Sequence, residues 1–198
     1  MRGMAEANPT HLFGYGSLVN RSSAEETLGR VVGEMRPATL HGWRRRWSLL
    51  RDNPHCEKTF ELEDGTVPDW LLTLNVEATG NAADVVNGVL IEIRADDLEA
   101  LDVREVRHRR VDVTDAIATP PPASLILTYT ATHHHTALMT PARALILSTY
   151  LEAVEQGFTA LGEDELEAFR RSTGAPPVPV VKGRLIRHRA RGPSPVHW

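Results

Sequence analysis

A chain of 198 residues, 41% hydrophobic and 24% charged, carries enough apolar material for one domain with a real core, with or without an appendage. A net charge of −4 argues against a general nucleic-acid binder, and no apolar run approaches the ~20 residues of a membrane span. The single cysteine, Cys56, excludes an internal disulfide and fits a reducing, cytoplasmic setting, and the polar residues 1–8 lack the apolar stretch of a signal peptide.

The first element is a short apolar run, His11, Leu12 and Phe13, that breaks into Gly14, Tyr15, Gly16, Ser17 and Leu18. Two glycines around one aromatic mark a strand that ends in a loop, because glycine accepts φ > 0 without steric cost. Missing Cβ atoms also let a ligand approach the backbone, and successive N–H groups in such a turn make a nest for an anion. Two better-known motifs are excluded by spacing. Val19 stands where a dinucleotide fingerprint needs its third glycine. Ser17 lacks the glycine two residues on that a nucleophile elbow requires. Taken alone, the loop reads equally well as a tight structural turn. Ser23-x-x-Glu26 then has the form of a capping box, and Gly29 is a helix stop.

Residues 31–40 form a second extended run. In the strand that follows, Trp43, Arg45 and Trp47 share one face and Arg44 and Arg46 the other. A basic, aromatic nucleic-acid surface is one reading. Tryptophans packed inward with solvated arginines is the one that the net charge favours, with one arginine left to help hold an anionic ligand. Residues 51–69 are polar and turn-rich and read as a variable excursion. Residues 70–76 read as a strand. Residues 86–93 give the clearest strand, Val89, Ile91 and Ile93 alternating with Leu90, Glu92 and Arg94. Gly88 inside it signals a bulge or a close backbone approach. Asp96 caps a short helix through Leu98 and Leu101 that ends near Val103. Residues 109–117 and 124–132 are strands, the second carrying Tyr129, with Pro120-Pro121-Pro122 as a rigid turn between them.

His133-His134-His135 lacks a cysteine or acidic pair at ligand spacing, so it reads as a solvated loop and no metal is expected. Pro141 opens a helix through Leu145, Leu147, Tyr150, Leu151 and Val154 that Gly157 closes, and residues 163–171 give one more. From Thr173 the chain is rich in Pro and Arg, either packed or disordered. Its run 182–191 offers an acidic partner or nucleic acid a docking surface. The order β-α-β-β, loop, β-β-α-β-β-α-α does not alternate regularly. It predicts an α+β fold with a largely antiparallel, barrel-like sheet.

Four segments follow one another in a telling order: Phe13-Gly14-Tyr15-Gly16-Ser17-Leu18, Gly42-Trp43-Arg44-Arg45, Val86-Asn87-Gly88-Val89-Leu90 and Leu101-Asp102-Val103-Arg104-Glu105. In this order the chain resembles the γ-glutamylcyclotransferase-like superfamily over roughly residues 10–162. The resemblance implies a small mixed, mostly antiparallel β-barrel with flanking helices over residues 10–172, leaving 173–198 as a Pro/Arg-rich extension. It also implies a reaction that needs no cofactor and no metal. The α-amino group of a γ-glutamyl compound attacks its own side-chain carbonyl, releasing 5-oxoproline and a free amine or amino acid. Gly14, Tyr15, Gly16, Ser17 and Leu18 would grip the glutamyl group, mainly through backbone N–H, and Glu105 would be the general acid/base.

The chemistry suits such a site. Nucleophile and electrophile share one molecule, so the protein need only fold it and hold it. One carboxyl beside both nitrogens can take the ammonium proton and return it to the departing amine. A free Glu, pKa ~4.3, is a weak base, so burial that raises its pKa is expected. Against this, Glu105 lies next to Arg104 and near Arg107, Arg109 and Arg110, where a plain surface ion pair would be ordinary. Asp102 is expected to be structural. Many relatives carry a Tyr shortly after the glutamate. Here either His108 takes that place or nothing does, which leaves substrate preference and activity open, and Tyr129 is a further candidate for a hydroxyl from a neighbouring strand. A non-catalytic pocket for a small carboxylated metabolite or a partner protein is the alternative on the same fold. The leaving group and the oligomeric state stay open at this stage.

Overall fold

The computed structural model describes residues 9–137 and 143–188. Along the first half of the chain run β1 (Thr10–Gly14), α1 (Arg21–Leu28), β2 (Met35–His41), β3 (Trp43–Asp52), β4 (Lys58–Leu62), β5 (Trp70–Ala78) and β6 (Val85–Ile93). Then come α2 (Asp97–Arg104), β7 (His108–Asp112), β8 (Leu125–Ala131), β9 (Ala144–Leu147), α3 (Ser148–Leu161), α4 (Glu163–Thr173), β10 (Val180–Val181) and β11 (Gly183–His188). The strands form a five-stranded sheet, β2-β6-β1-β8-β7, a four-stranded sheet, β10-β9-β5-β3, and a two-stranded sheet, β11-β4. Five of the eight pairings among the described residues are antiparallel; β1 with β8, β5 with β9 and β9 with β10 are parallel. The α+β class and the mixed, mostly antiparallel pairing are as expected. The barrel is not: the described strands fall into three sheets and close no barrel.

β1 and β6 lie inside the larger sheet and are covered on both faces. Leu12, Phe13, Val86, Val89, Leu90 and Ile91 are all buried, so these strands read as near-continuous apolar runs. Alternation survives only at the end of β6, where Glu92 and Arg94 are exposed. Gly88 is a close approach: a Cβ there would lie 2.3 Å from Gly14 O and 2.8 Å from the Phe13 ring. Polar side chains tie the two larger sheets. Thr130 Oγ1 donates to Val76 O at 2.6 Å, and Asn75, 1% exposed, accepts from Ala131 N at 2.8 Å.

Arg45 departs most from the sequence reading. Arg44 and Arg46 are exposed and pair with Asp84 and Glu77. Arg45 is 2% exposed, with its guanidinium 5.1 Å and 4.9 Å from the stacked rings of Phe158 and Phe169. It donates to Asn87 O and, at 3.1 Å, to Thr173 Oγ1. Aromatic faces and polar acceptors replace its water, and the residue pins α3 and α4 to both larger sheets.

Other local expectations shift for identifiable reasons. Asn20, not Ser23, caps α1, accepting from Ser23 N at 3.2 Å; Gly29 ends it in the left-handed region, φ 62°. Asp96 makes no cap bond to α2; the Asp97 carboxylate accepts from Arg94 N at 2.7 Å and pairs with Arg30. Residues 114–116 form a 3-10 turn rather than the end of a strand, and the excursion 51–69 contains β4. Residues 144–147 are a strand, because a four-residue apolar run fits a buried strand as well as a helix. Pro141 lies outside the described residues. α3 runs through Gly157 rather than stopping there. No helix among the described residues is long and apolar enough to cross a membrane.

Gly157 serves packing. A Cβ on it would lie 2.6 Å from Asn20 N and 2.7 Å from Val19 C, so α3 rests directly on the backbone that follows the Gly14–Leu18 turn. Gly157→Ala should destabilise the protein by about 2 kcal/mol, lowering Tm by roughly 4–8 °C. Gly33→Ala, where a Cβ meets nothing within 4 Å, should leave Tm nearly unchanged. Equal melting curves for the two variants would refute the close approach.

Candidate active site

β1 ends at Gly14 in the middle of the larger sheet. The chain leaves it through Tyr15 and Gly16 into a 3-10 turn at Ser17–Val19, then enters α1. A cavity of about 500 Å³ opens beside this turn, and Gly14, Tyr15, Gly16, Ser17, Leu18 and Glu105 all line it. The turn is closed by Val19 N to Gly16 O at 2.9 Å and Asn20 N to Ser17 O at 3.1 Å. The first N–H groups of such a turn have no acceptor within it. Neither Gly14 nor Gly16 has a positive φ, so these glycines are not demanded by backbone strain. What Gly16 allows is contact: a Cβ there would lie 3.2 Å from the Tyr150 hydroxyl, which itself accepts from Leu74 N at 3.2 Å.

The tyrosines are committed to the scaffold. Tyr15 turns into the core and donates to Tyr129 O at 2.7 Å. Tyr129 donates to Asp102 Oδ1 at 2.7 Å, and Arg110 Nε lies 3.2 Å from the same oxygen. Burial pushes the Tyr15 and Tyr129 phenols up, and Tyr150 to about 12, so all three stay neutral.

Glu105 sits at the exit of α2, its N–H donating to Leu101 O at 2.7 Å and its carbonyl accepting from His108 N at 2.7 Å. Its side chain is 15% exposed. Oε1 accepts from Arg104 Nε at 3.0 Å; Oε2 lies 2.9 Å from His108 Nδ1. The other end of Arg104 donates to Ser17 Oγ at 2.9 Å, and its Nη1 reaches Thr27 Oγ1 on α1. One guanidinium thus spans from the glutamate to the turn. The ion pair expected of a charged stretch exists, but on the cavity wall rather than in open solvent. Burial alone would raise the Glu105 carboxyl. The His108 ring and then Arg104 outweigh it and hold the carboxyl down at about 2, reversing the expected rise.

Sequence reasoning missed a second charged group on the same cavity: Arg51, Glu57, Lys58, Arg107 and His188. Arg107 grips Glu57 with both Nη atoms, at 3.2 and 2.9 Å, and Arg51 Nη2 lies 3.4 Å from Glu57 Oε1. Burial again opposes ionisation, but the Arg107 fork, with Arg51, brings the Glu57 carboxyl down to about 2. Three of these residues fall in the excursion 51–69. Its turn-rich composition hid the register that β11 imposes on β4. No group of three or more His, Cys, Asp or Glu among the described residues could hold a metal, and His133–His135 is a short turn.

The fold has solved counterparts. A γ-glutamyl cyclotransferase structure matches with a TM-score of 0.57 at 14% identity, covering 87% of this chain and 93% of that one. An uncharacterised human protein gives 0.54 at 14%, covering 82% and 87%. YkqA from Bacillus subtilis gives 0.54 at 18%, covering 83% of this chain and 54% of that one, so the chain spans about half the length of YkqA. No protein-family model and no curated protein matches the sequence. At these identities the likeness is one of fold, and that fold is γ-glutamylcyclotransferase-like, as the ordered motifs implied.

The two depressed carboxylates set a stability profile. A carboxyl held at about 2, against ~4.3 unfolded, stabilises the fold above pH ~4.3, and that contribution is lost as pH falls through the range down to about 2. Urea unfolding at pH 7, 5, 4 and 3 should show this loss. Glu57→Gln should be less stable at pH 7 and should show a smaller drop from pH 7 to pH 3 than the unsubstituted protein. An identical pH dependence would contradict the assignment.

Proposed function

We propose that this cavity cyclises a γ-glutamyl compound, releasing 5-oxoproline and an amine or amino acid, with Glu105 as general acid/base. One observation carries the reading: Glu105 and the Gly14–Leu18 turn line a single cavity and are joined through Arg104. The fold shared with a γ-glutamyl cyclotransferase supports it.

In this reading the glutamyl carboxylate meets the free N–H groups of the turn and the Arg104 guanidinium. The α-ammonium lies against Glu105 and gives up a proton. The amine nitrogen bonds to the side-chain carbonyl carbon and sheds its second proton, the amide C–N bond breaks, and the departing nitrogen takes up both protons and leaves as an ammonium. No water is consumed. Holding both reacting groups in one folded conformer supplies much of the rate.

Glu105 held at about 2 by His108 and Arg104 is a poor base for an ammonium. Its basicity rises when the incoming carboxylate draws on Arg104. His108, 7% exposed, lies against the same carboxylate. The same strong hold on Glu105 favours the second reading, a pocket that binds a carboxylated metabolite without turning it over.

The two part under assay. Incubation with γ-glutamyl amino acids, γ-glutamyl amines and glutathione should yield 5-oxoproline from at least one; saturable binding with no product from any supports the second reading. Glu105→Gln should cut kcat/KM by at least about 100-fold while substrate still binds, and full activity in that variant would sink its assignment. The pH profile carries its own sign. With Glu105 ionised down to about 2, kcat/KM should show no loss from its protonation above about pH 4. His108→Gln should move that ionisation upward, so that activity falls as pH drops through about 4.

A further inference from the structure

The cavity wall carries two charged groups, and the cyclisation reading uses only one. The first is Arg104, Glu105 and His108 beside Ser17. The second is Arg51 at the end of β3, Lys58 at the start of β4 and Arg107 in the turn after α2. Three cations there face one carboxylate, Glu57. Arg107 alone occupies both Glu57 oxygens, and Arg51 reaches one of them at a longer 3.4 Å. Arg51 Nε is buried without a partner, and Lys58 enters no ion pair among the described residues. The Arg51 and Arg107 side chains are only 17% and 11% exposed. A buried guanidinium nitrogen without a partner and a half-buried ammonium without a counter-ion favour an arriving anion.

From this we propose that Arg51, Lys58 and Arg107 form a subsite for a carboxylate on the departing half of the substrate. The chain then prefers γ-glutamyl amino acids or peptides carrying that carboxylate over γ-glutamyl amines. The proposal rests on the cyclisation reading for its orientation: the glutamyl end sits at the Gly14–Leu18 turn and the departing group reaches toward Arg51. Phe60 and Leu72, which line the same cavity, offer apolar surface for the side chain of the departing residue. An amine without the carboxylate leaves Lys58 and the Arg51 Nε without that partner, and polar groups left unpaired in a cavity discriminate between ligands.

Binding is read first without chemistry. Glutaryl-alanine keeps the glutamyl carboxylate but lacks the attacking amine, so it cannot cyclise; its C-terminal carboxamide lacks only the second carboxylate. By calorimetry, glutaryl-alanine should bind at least about 10-fold more tightly than the carboxamide. Lys58→Met and Arg51→Met should each shrink that ratio to roughly two- or threefold. Equal Kd values in the unsubstituted protein, no binding of either compound, or an undiminished ratio in both variants would overturn the subsite. Turnover is read second, with γ-glutamyl-alanine and γ-glutamyl-alaninamide. Equal kcat/KM for the two overturns the subsite and leaves cyclisation standing. No 5-oxoproline from either, with the binding preference intact, removes cyclisation and leaves the carboxylate subsite standing.

Discussion

One guanidinium holds the candidate site together. Arg104 donates to Glu105, to Ser17 and to Thr27, and so fastens the exit of α2 to the turn after β1 and to the helix beyond it. Ser17 and Arg104 are 87 positions apart, so this contact exists only when the fold brings them together. A lysine could not substitute: it offers one compact charge, whereas the planar fork reaches acceptors on opposite sides at once. From the far side the same turn is braced by α3, whose Tyr150 hydroxyl stands over Gly16 and whose Gly157 lets the helix settle against Val19 and Asn20. A turn held on two sides keeps its N–H groups aimed, which a ligand contact requires and a loop in solvent does not supply.

That arrangement carries a chemical cost. The contacts that place Glu105 on the cavity wall also keep it ionised. Burial alone would have made it a better base; His108 and Arg104 reverse that. The arrangement therefore favours the ionised carboxylate.

How much was legible in the sequence follows from how local each signal is. That the Gly14–Leu18 segment leaves its strand in a turn, and that Glu105 follows the end of a short helix, were readable because each sits in a short ordered motif. β6 was readable from the alternation at its end, although most of it is buried on both faces, and β5 from its apolar run. Gly88 was readable because a glycine inside a strand has few reasons to be there. The failures share a cause. Arg45 looked solvated because its partners, Phe158 and Thr173, lie more than a hundred positions away. Gly157 looked like a stop because the backbone it admits belongs to residues 19 and 20. Asn20 was passed over as a cap in favour of Ser23, since both satisfy the same local rule and only the backbone geometry separates them. Arg51 and Lys58 looked like decoration on a variable loop.

The last of these bears on how such a site changes its substrate. β4 and β11 form a two-stranded unit, marginal by itself in water. It is fixed by Asn53, wholly buried, whose side chain bonds Phe60 N and O at 2.8 Å and Pro68 O at 2.9 Å. Arg187 adds bonds to Pro54 O and Thr59 Oγ1, and Gly183 lets β11 lie against Leu147. This unit brings Lys58, Phe60 and His188 to the cavity, while the turn, Arg104 and Glu105 come from β1, α1 and α2. The two walls share few covalent neighbours. In the proposed reading, side chains facing the departing group can therefore be exchanged on the excursion and the C-terminal strand without moving the carboxylate or the turn, whose positions are set from the other side of the molecule.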